Sequence, residues 1–407
     1  MCSKNNQMFG RGERIRTSGP CLPKTVLYQA ELLPDRSTNR VAWGHPAVRQ
    51  ARPIGSGFRR GKPGMRLSGK KWPRHTRFHR KARACAWGRA GERARMGLMA
   101  GPHYEQQYLD LMERIWTTGD ERVDRTGVGT RSVFGTSLRF DLSGGQVPLL
   151  TTKRVFWKTA TREFLWFLTG DTNIRTLCAQ GVEIWTDWPH ARYVRETGDA
   201  IDRAAFSRRI VEDGAFAARW GDLGPVYGKQ WVDWPVFDPV GEGLFRQRDR
   251  GVNQVADLVQ SLRTNPGSRR HIVEGWNVAQ LDAMALPPCH KTYQFHVAGG
   301  RLSGVLYQRS CDVALGLPFN LWGAALFIHM LAQQCDLVPG ELVWMGGDTH
   351  LYLNHAELVE AQLARTPQGA PTLAITRRPD SIFGYAIDDF NVQDYHPQGH
   401  LSAPVAV

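Results

Sequence analysis

From Tyr104 onward the apolar positions recur with the periods of helices and strands. Tyr108, Leu111, Met112, Ile115 and Trp116 fall on one side of a helix predicted over Tyr104–Thr118, since residues three and four apart share a helical face. Two glycines in Asp124-Arg-Thr-Gly-Val-Gly-Thr130 break that pattern, and a strand is expected over Ser132–Phe140. A second helix is expected over Trp157–Thr169, with Phe164, Leu165, Phe167 and Leu168 apolar and Glu163 near its middle. Spacing alone puts Glu163 at a solvated edge; the alternative is a buried acid whose pKa desolvation raises. Pro189 to Arg219 is charged with a helix-like middle and reads as an insertion or lid. Val255, Leu258, Val259 and Leu262 mark a helix over Asn253–Arg263, closed by Asn265-Pro-Gly-Ser268. Arg269 and Arg270 then open a strand, His271–Asn277, either as two surface arginines or as an anion site.

The third quarter of the chain is denser in signals. Thr292–Val297 and Leu302–Ser310 alternate like strands around Ala298-Gly-Gly-Arg301, a hairpin signature. Leu321–Gln334 is apolar on every side and reads as a buried helix, with Asn320 before it as an N-cap or, alternatively, as a reader of a substrate amide. Gly346-Gly-Asp-Thr-His-Leu-Tyr352 reads as a turn ahead of a helix over Asn354–Arg365, and presents His350 and Tyr352 as polar groups.

Charge changes the picture at the front. The 407 residues carry 52 Lys and Arg against 38 Asp and Glu; residues 1–100 hold 23 of the former and 4 of the latter, leaving 29 against 34 for the rest. The net charge of +14 therefore belongs to the front segment alone. That segment is rich in Arg, Gly and Pro, has no sustained periodicity, and includes Lys70-Lys-Trp-Pro-Arg-His-Thr-Arg-Phe-His-Arg80. Such composition does not fold alone. Residues 1–98 are expected to be a disordered extension: a nucleic-acid tail, a transit peptide, or, as the reading preferred here, sequence upstream of a start at Met96 or Met99. Residues 99–407 form the expected catalytic domain.

Seven cysteines, odd in number and without a C-x-x-C pair, indicate neither a disulfide framework nor a zinc site, so a reducing cytoplasm is expected and no metal. The most apolar run, Leu321–Leu331, is too short to span a bilayer, and no membrane partner is expected.

Among these cysteines, Cys289 stands out in Leu286-Pro-Pro-Cys-His290. If Gly299-Gly300 is a two-residue turn, Cys289 lies opposite Ser310 beside Arg309; a slip of one residue puts it opposite Arg309 or Cys311. Either way a guanidinium comes within reach, and a fixed positive charge favours the thiolate, which is the nucleophilic form. The plain alternative is a small buried thiol at a strand start. His290 is a poor base for Cys289, because consecutive strand residues point to opposite faces.

Together these stretches resemble the thymidylate synthase family. The matching blocks are Asp124-Arg-Thr-Gly-Val-Gly-Thr130, Leu165-Trp-Phe-Leu168, Gly221-Asp-Leu-Gly-Pro-Val-Tyr-Gly-Lys-Gln-Trp231, Ser268-Arg-Arg270, Pro288-Cys-His290, Tyr307-Gln-Arg-Ser-Cys-Asp312, Leu315-Gly-Leu-Pro-Phe-Asn320, Gly347-Asp-Thr-His-Leu-Tyr352 and Ala403-Pro-Val-Ala-Val407. They cover roughly residues 103–407.

The resemblance implies an α+β fold on a large mixed sheet, a homodimer with shared active sites, and reductive methylation of dUMP to dTMP with 5,10-methylenetetrahydrofolate as donor of carbon and hydride. It implies Cys289 as the nucleophile toward C6 of the uracil ring. Arg125, Arg309 and Ser310, with Arg269 and Arg270 from a second copy, would hold the phosphate. Glu163 and Tyr227 would handle protons. Asn320 would face the pyrimidine, His350 and Tyr352 the ribose, and Gln308 and Asp312 would also bind dUMP. Asp312, Trp185, Trp188, Leu315, Gly316 and Phe319 would receive the folate, and Val407 would help to close the site. A dCMP hydroxymethylase of the same fold typically has Asp where Asn320 stands, so Asn argues for uracil. That hydroxymethylase and a nucleic-acid binder led by the basic front are the two alternatives. His271, Glu274 and Ala314 depart from the usual pattern at positions outside these motifs.

Overall fold

The computed structural model describes residues 103–123 and 127–405. The expectations for residues 1–98, Arg125 and Val407 lie outside the described residues. The helices, in chain order, are α1 (Gln106–Thr118), α2 (Trp157–Thr169), α3 (Arg175–Ala179), α4 (Asp187–Thr197), α5 (Arg203–Glu212), α6 (Gly214–Trp220), α7 (Gly228–Val232), α8 (Gln254–Thr264), α9 (Leu317–Gln334) and α10 (Ala356–Leu363). The strands are β1 (Asp120–Arg122), β2 (Thr130–Asp141), β3 (Phe237–Gly241), β4 (Leu244–Gln247), β5 (Ile272–Glu274), β6 (His290–Ala298), β7 (Arg301–Asp312), β8 (Val338–Tyr352), β9 (Thr372–Ile375) and β10 (Phe390–Gln393).

Six strands form one sheet in the order β1-β2-β8-β7-β6-β5. β7 and β8 run parallel and every other neighbouring pair is antiparallel, which makes the sheet mixed, as expected. A parallel pair needs a long crossover, and α9 supplies it. That helix is buried along nearly its whole length, with Leu321, Trp322, Phe327 and Leu331 all fully buried. Phe327 packs on Phe164 of α2 and on Phe295 of β6 at 5.3 Å in each case, so one helix ties the sheet to the layer above it. Each such ring or aliphatic group taken out of water contributes about 1.5–3 kcal/mol.

Two readings from spacing give way to tertiary structure. Helix α9 begins at Leu317 with a proline in its first turn, where a missing N–H costs nothing, so Asn320 is its fourth residue and not its N-cap. Residues 346–352 are the end of strand β8, not a turn. Gly346 and Gly347 are there because of crowding: an added Cβ would lie 2.3 Å from the Trp344 ring at the first and 2.7 Å from the Arg309 carbonyl oxygen at the second. The stretch from Pro189 to Arg219 is helical, as its middle suggested. It belongs to α4, α5 and α6, the last two capped by the Asp202 and Asp213 side chains, around rings of Tyr193, Phe206, Phe216 and Trp220 spaced 5.1–5.6 Å apart.

The β6–β7 hairpin settles the register of Cys289. Gly299 and Gly300 both have positive φ, the requirement of a tight turn that matches strand twist, and Ala298 pairs with Arg301. The register holds as far as Thr292 and Tyr307, and a bulge then shifts it by one, so that His290 faces Gln308. Cys289 thereby comes level with Arg309, whose N–H donates to the Cys289 carbonyl at 3.0 Å.

Helix α7 lies so close to α2 that only glycine fits at its start. A Cβ on Gly228 would stand 2.0 Å from the Phe167 carbonyl oxygen. Gly228→Ala is expected to destabilise the fold by roughly 3 kcal/mol, read as a lowered denaturant midpoint with unchanged slope. An unchanged midpoint would show that α2 and α7 separate at no cost.

Candidate active site

A cavity of about 430 Å³ opens where α2, the start of α7, the start of β6 and the ends of β7 and β8 meet. Its floor carries Cys289, half-buried just before β6. The Cys289 N–H donates to the hydroxyl of Tyr227 at 2.8 Å. Tyr227 precedes α7 with φ of 25°, a conformation that a bulky residue adopts only when its surroundings enforce it. Phe167 enforces it by stacking on the Tyr227 ring at 4.8 Å and 16°. Burial, and then the neighbouring Cys289, push the Tyr227 pKa well above its ordinary value, so the phenol stays protonated and keeps a proton to donate.

The roof holds the acid. Glu163 on α2 is not at a solvated edge: its Oε1 accepts from the Trp185 indole Nε1 at 2.8 Å. Burial raises its pKa to about 7, against the lowering effect of that hydrogen bond. Trp185 also meets Tyr227 and Trp188, with centroids 5.5 and 5.4 Å away, so proton donor, acid and thiol share one aromatic enclosure.

Along β7 the side chains turn toward the floor. Arg309 donates from Nε to the Pro288 carbonyl at 2.9 Å and from Nη2 to the Pro287 carbonyl at 2.8 Å, and lies 5.2 Å from the centre of the Trp276 ring. The two prolines before the thiol thus supply carbonyls, with no N–H of their own, that fix the guanidinium. Buried Gln308 receives Trp344 Nε1–H at 2.9 Å and donates to Asn320 Oδ1 at 2.8 Å, which sets the orientation of the Asn320 amide. At the end of β8 the His350 Nδ1 bonds Asp348 at 3.1 Å, and that bond holds the Asp348 carboxyl below the usual carboxylate range.

Asp312 closes the far side, its Oδ1 accepting from the N–H groups of Ala314 at 2.9 Å and Leu315 at 3.2 Å. Behind it lie two residues that spacing did not reveal. Lys153 is buried and donates to the Ala314 carbonyl; burial lowers its pKa to about 8, opposed by Asp312. His355, fully buried, bonds the Pro404 carbonyl through Nε2 at 2.9 Å and sets Nδ1 3.9 Å from Asp312. His290 is no partner for the thiol. Its ring packs edge-on against Tyr227, burial drives its pKa to about 4, and its Nδ1 makes no hydrogen bond.

The cavity thus gathers Cys289, Glu163, Tyr227 and Arg309, then Gln308, Ser310 and Asn320, then Asp312, Gly316, His350 and Tyr352, with Trp185 and Trp188 above. Leu315 and Phe319 sit behind it, half-buried against the core. Arg269 and Arg270 are exposed and do not line it. Thr130, Phe167, Ile184, Leu286 and Asp348 also line it and were not named as site residues, although all but Ile184 fall inside stretches that carried a sequence signal. Among the described residues no cluster of three or more His, Cys, Asp or Glu is placed to hold a metal, and no helix is long and apolar enough to cross a membrane.

A sequence profile described as thymidylate synthase matches residues 106–407. The chain belongs to the thymidylate synthase family. A thymidylate synthase of Novosphingobium aromaticivorans is 80% identical over 308 residues, covering 76% of this chain and 98% of its own length. Those of Rhizorhabdus wittichii and Sphingopyxis alaskensis are 65% identical over 305 residues and 67% over 306, covering 75% of this chain and 99% and 98% of theirs. As a thymidylate synthase the chain is a methyltransferase, and its family uses methylenetetrahydrofolate as co-substrate. Neither a hydroxymethylase nor a nucleic-acid binder finds support in these relatives.

Proposed function

We propose that this cavity binds dUMP and methylates it to dTMP, with Cys289 adding to C6 of the uracil ring. The observation that carries the reading is the convergence of a thiol, a half-buried carboxyl and an oriented amide: Cys289 bonded to Tyr227, Glu163 bonded to Trp185, and Asn320 bonded to Gln308. When the thiolate adds to C6, the ring electrons move toward C5 and O4. Glu163, protonated below about pH 7, can supply a proton on the O4 side. Tyr227, whose hydroxyl oxygen already accepts from the Cys289 N–H, has its own O–H left to hold a water in place, and that water accepts the C5 proton and passes it to solvent as the ring electrons return. Asn320, held by Gln308, presents an amide that matches the donor and acceptor edge of uracil.

For the phosphate we assign Arg309 and Ser310 of the cavity, Arg125, and Arg269 and Arg270 of a second copy. The exposure of the last two supports a role outside their own cavity. Exposed Phe134 on β2 and Met345 on β8 leave apolar groups on the sheet for a homodimer. His350 and Tyr352 face the ribose in this reading.

The folate supplies the carbon and the hydride. The residues present suit it: Asp312 has one oxygen engaged by backbone amides and the other left for the donors of a pterin, and Trp185 and Trp188 offer flat apolar faces. Leu315, Gly316 and Phe319 border that end, and Val407 would cover it. Residues 99–407 are proposed as the catalytic domain. The free thiols at Cys178, Cys289, Cys311 and Cys335 suit a reducing cytoplasm.

Mass spectrometry of the protein with 5-fluoro-dUMP and methylenetetrahydrofolate tests the reading. Fluorine at C5 blocks removal of the proton, so a stable adduct is expected on the peptide containing Cys289. No adduct, or an adduct on another cysteine, would overturn it.

A further inference from the structure

The helices α4, α5 and α6 form a separate aromatic cluster beside the cavity, and only α4 reaches it. From α5, one side chain reaches the turn that carries Trp185. Arg203, the first residue of α5, donates from Nε to Asp187 Oδ1 at 2.7 Å and from Nη1 to Glu183 Oε2 at 2.8 Å, while Nη2 donates to the Glu183 backbone carbonyl. Glu183 and Asp187 stand two residues before and two after Trp185. The same Glu183 carbonyl accepts from the Thr186 N–H at 3.2 Å, so Trp185 rides on a tight turn whose two flanks one guanidinium grips.

A planar fork with three bonds to one turn restricts it far more than a single surface ion pair does. Individual exposed pairs contribute little to stability, and Arg203, Glu183 and Asp187 are all partly exposed. Their geometry is therefore better explained by positioning than by stability. What the turn positions is the indole that bonds Glu163 and meets Tyr227 and Trp188.

We propose that Arg203 is a positioning residue for the thymidylate synthase reaction: the helical insertion delivers its guanidinium to the Glu183–Asp187 turn, which keeps Trp185 on Glu163 and the folate-side wall in place. This rests on the site reading above. The insertion then has a role in turnover without touching either substrate.

Steady-state kinetics of Arg203→Ala and Arg203→Lys in the full chain test it, beside Arg209→Ala as a control. Arg209 is on the same helix, with its guanidinium 4.1 Å from the centre of the Phe216 ring, and has no bond to the turn. For Arg203→Ala, kcat/KM for methylenetetrahydrofolate is expected to fall about 10-fold while dUMP affinity in the binary complex changes less than about 2-fold. The pH limb of kcat that belongs to Glu163 is expected to move upward, because the lost indole N–H had favoured the charged carboxylate. Lysine, with one ammonium for three acceptors, should restore part of the loss. Arg209→Ala should lower thermal stability and leave kinetics within about 2-fold of wild type.

Wild-type kinetics in folded Arg203→Ala would overturn the proposal, as would equal losses in both alanine variants with both substrates affected. Glu163→Gln measured in parallel separates the two levels. If that variant turns over normally, the site reading itself fails; if it is inactive and Arg203→Ala is normal, only the role of Arg203 fails.

Discussion

Cys289→Ser is expected to reduce kcat by roughly 10⁴-fold or more at saturating substrates, the scale seen when a covalent nucleophile is removed. Serine is nearly isosteric and keeps both backbone bonds, from the Cys289 N–H to Tyr227 and from the Arg309 N–H to the Cys289 carbonyl. The floor of the cavity should stay in place and dUMP should still bind. What changes is the reacting atom: a hydroxyl ionises several powers of ten less readily than a thiol, and little alkoxide exists at neutral pH to add to C6. Turnover by the purified variant, with circular dichroism and dUMP titration as controls for folding and binding, checks this. More than about a hundredth of wild-type kcat in a folded, ligand-binding variant would mean that the thiol only binds.

Glu163→Gln is expected to lower kcat about 10²- to 10³-fold, within the range for loss of a positioned acid or base. Glutamine can still accept from Trp185 but cannot give up a proton on demand. In the wild type, with a pKa of about 7, the protonated fraction falls as pH rises through 7, and kcat should fall with it; the glutamine variant should lack that limb. Stability should move the other way. The folded pKa of Glu163 lies above the ordinary 4.5, so its burial favours the protonated native state. That contribution is fully present below about pH 4.5 and is lost as pH rises through about 7, at a cost on the order of 2–3 kcal/mol. Glu163→Gln should therefore unfold at higher denaturant than wild type at pH 8, with the difference closing toward pH 5. Equal midpoints at pH 8 would show that the carboxyl is not buried at that cost.

How much of this was legible in the chain depends on the range of the interaction involved. Helix α2 falls on Trp157–Thr169 as its spacing predicts, and the Gly299-Gly300 turn fixes the hairpin, because both signals are local. Helix α9 starts at Leu317 because a proline suits a first turn, a rule that its apolar run concealed. The double glycine at 346 and 347 looks like a turn in sequence; its cause is the nearness of Trp344 and Arg309, which no local pattern encodes. The thiol itself stood out, yet its pairing with Arg309 waited on a bulge that spacing could only leave open. Glu163 was ambiguous for a similar reason, since its burial is created by Trp185, 22 residues away. Lys153, His355 and Arg203 were invisible because their meaning lies wholly in distant partners.

The place of β2 in the sheet bears on how the chain is made. β2 lies between the three-residue β1 and the fifteen-residue β8, and Thr136 bonds Thr349 at 3.0 Å across a separation of 213 residues. A ribosome adding about 5–20 residues per second leaves β2 without its main partner for roughly 10–40 s. Through that interval the nascent chain presents an open strand edge, the surface on which intermolecular pairing begins. Long-range pairing of this kind folds slowly, so the yield of enzyme from a cell should depend on chaperones that shield β2 until β8 emerges.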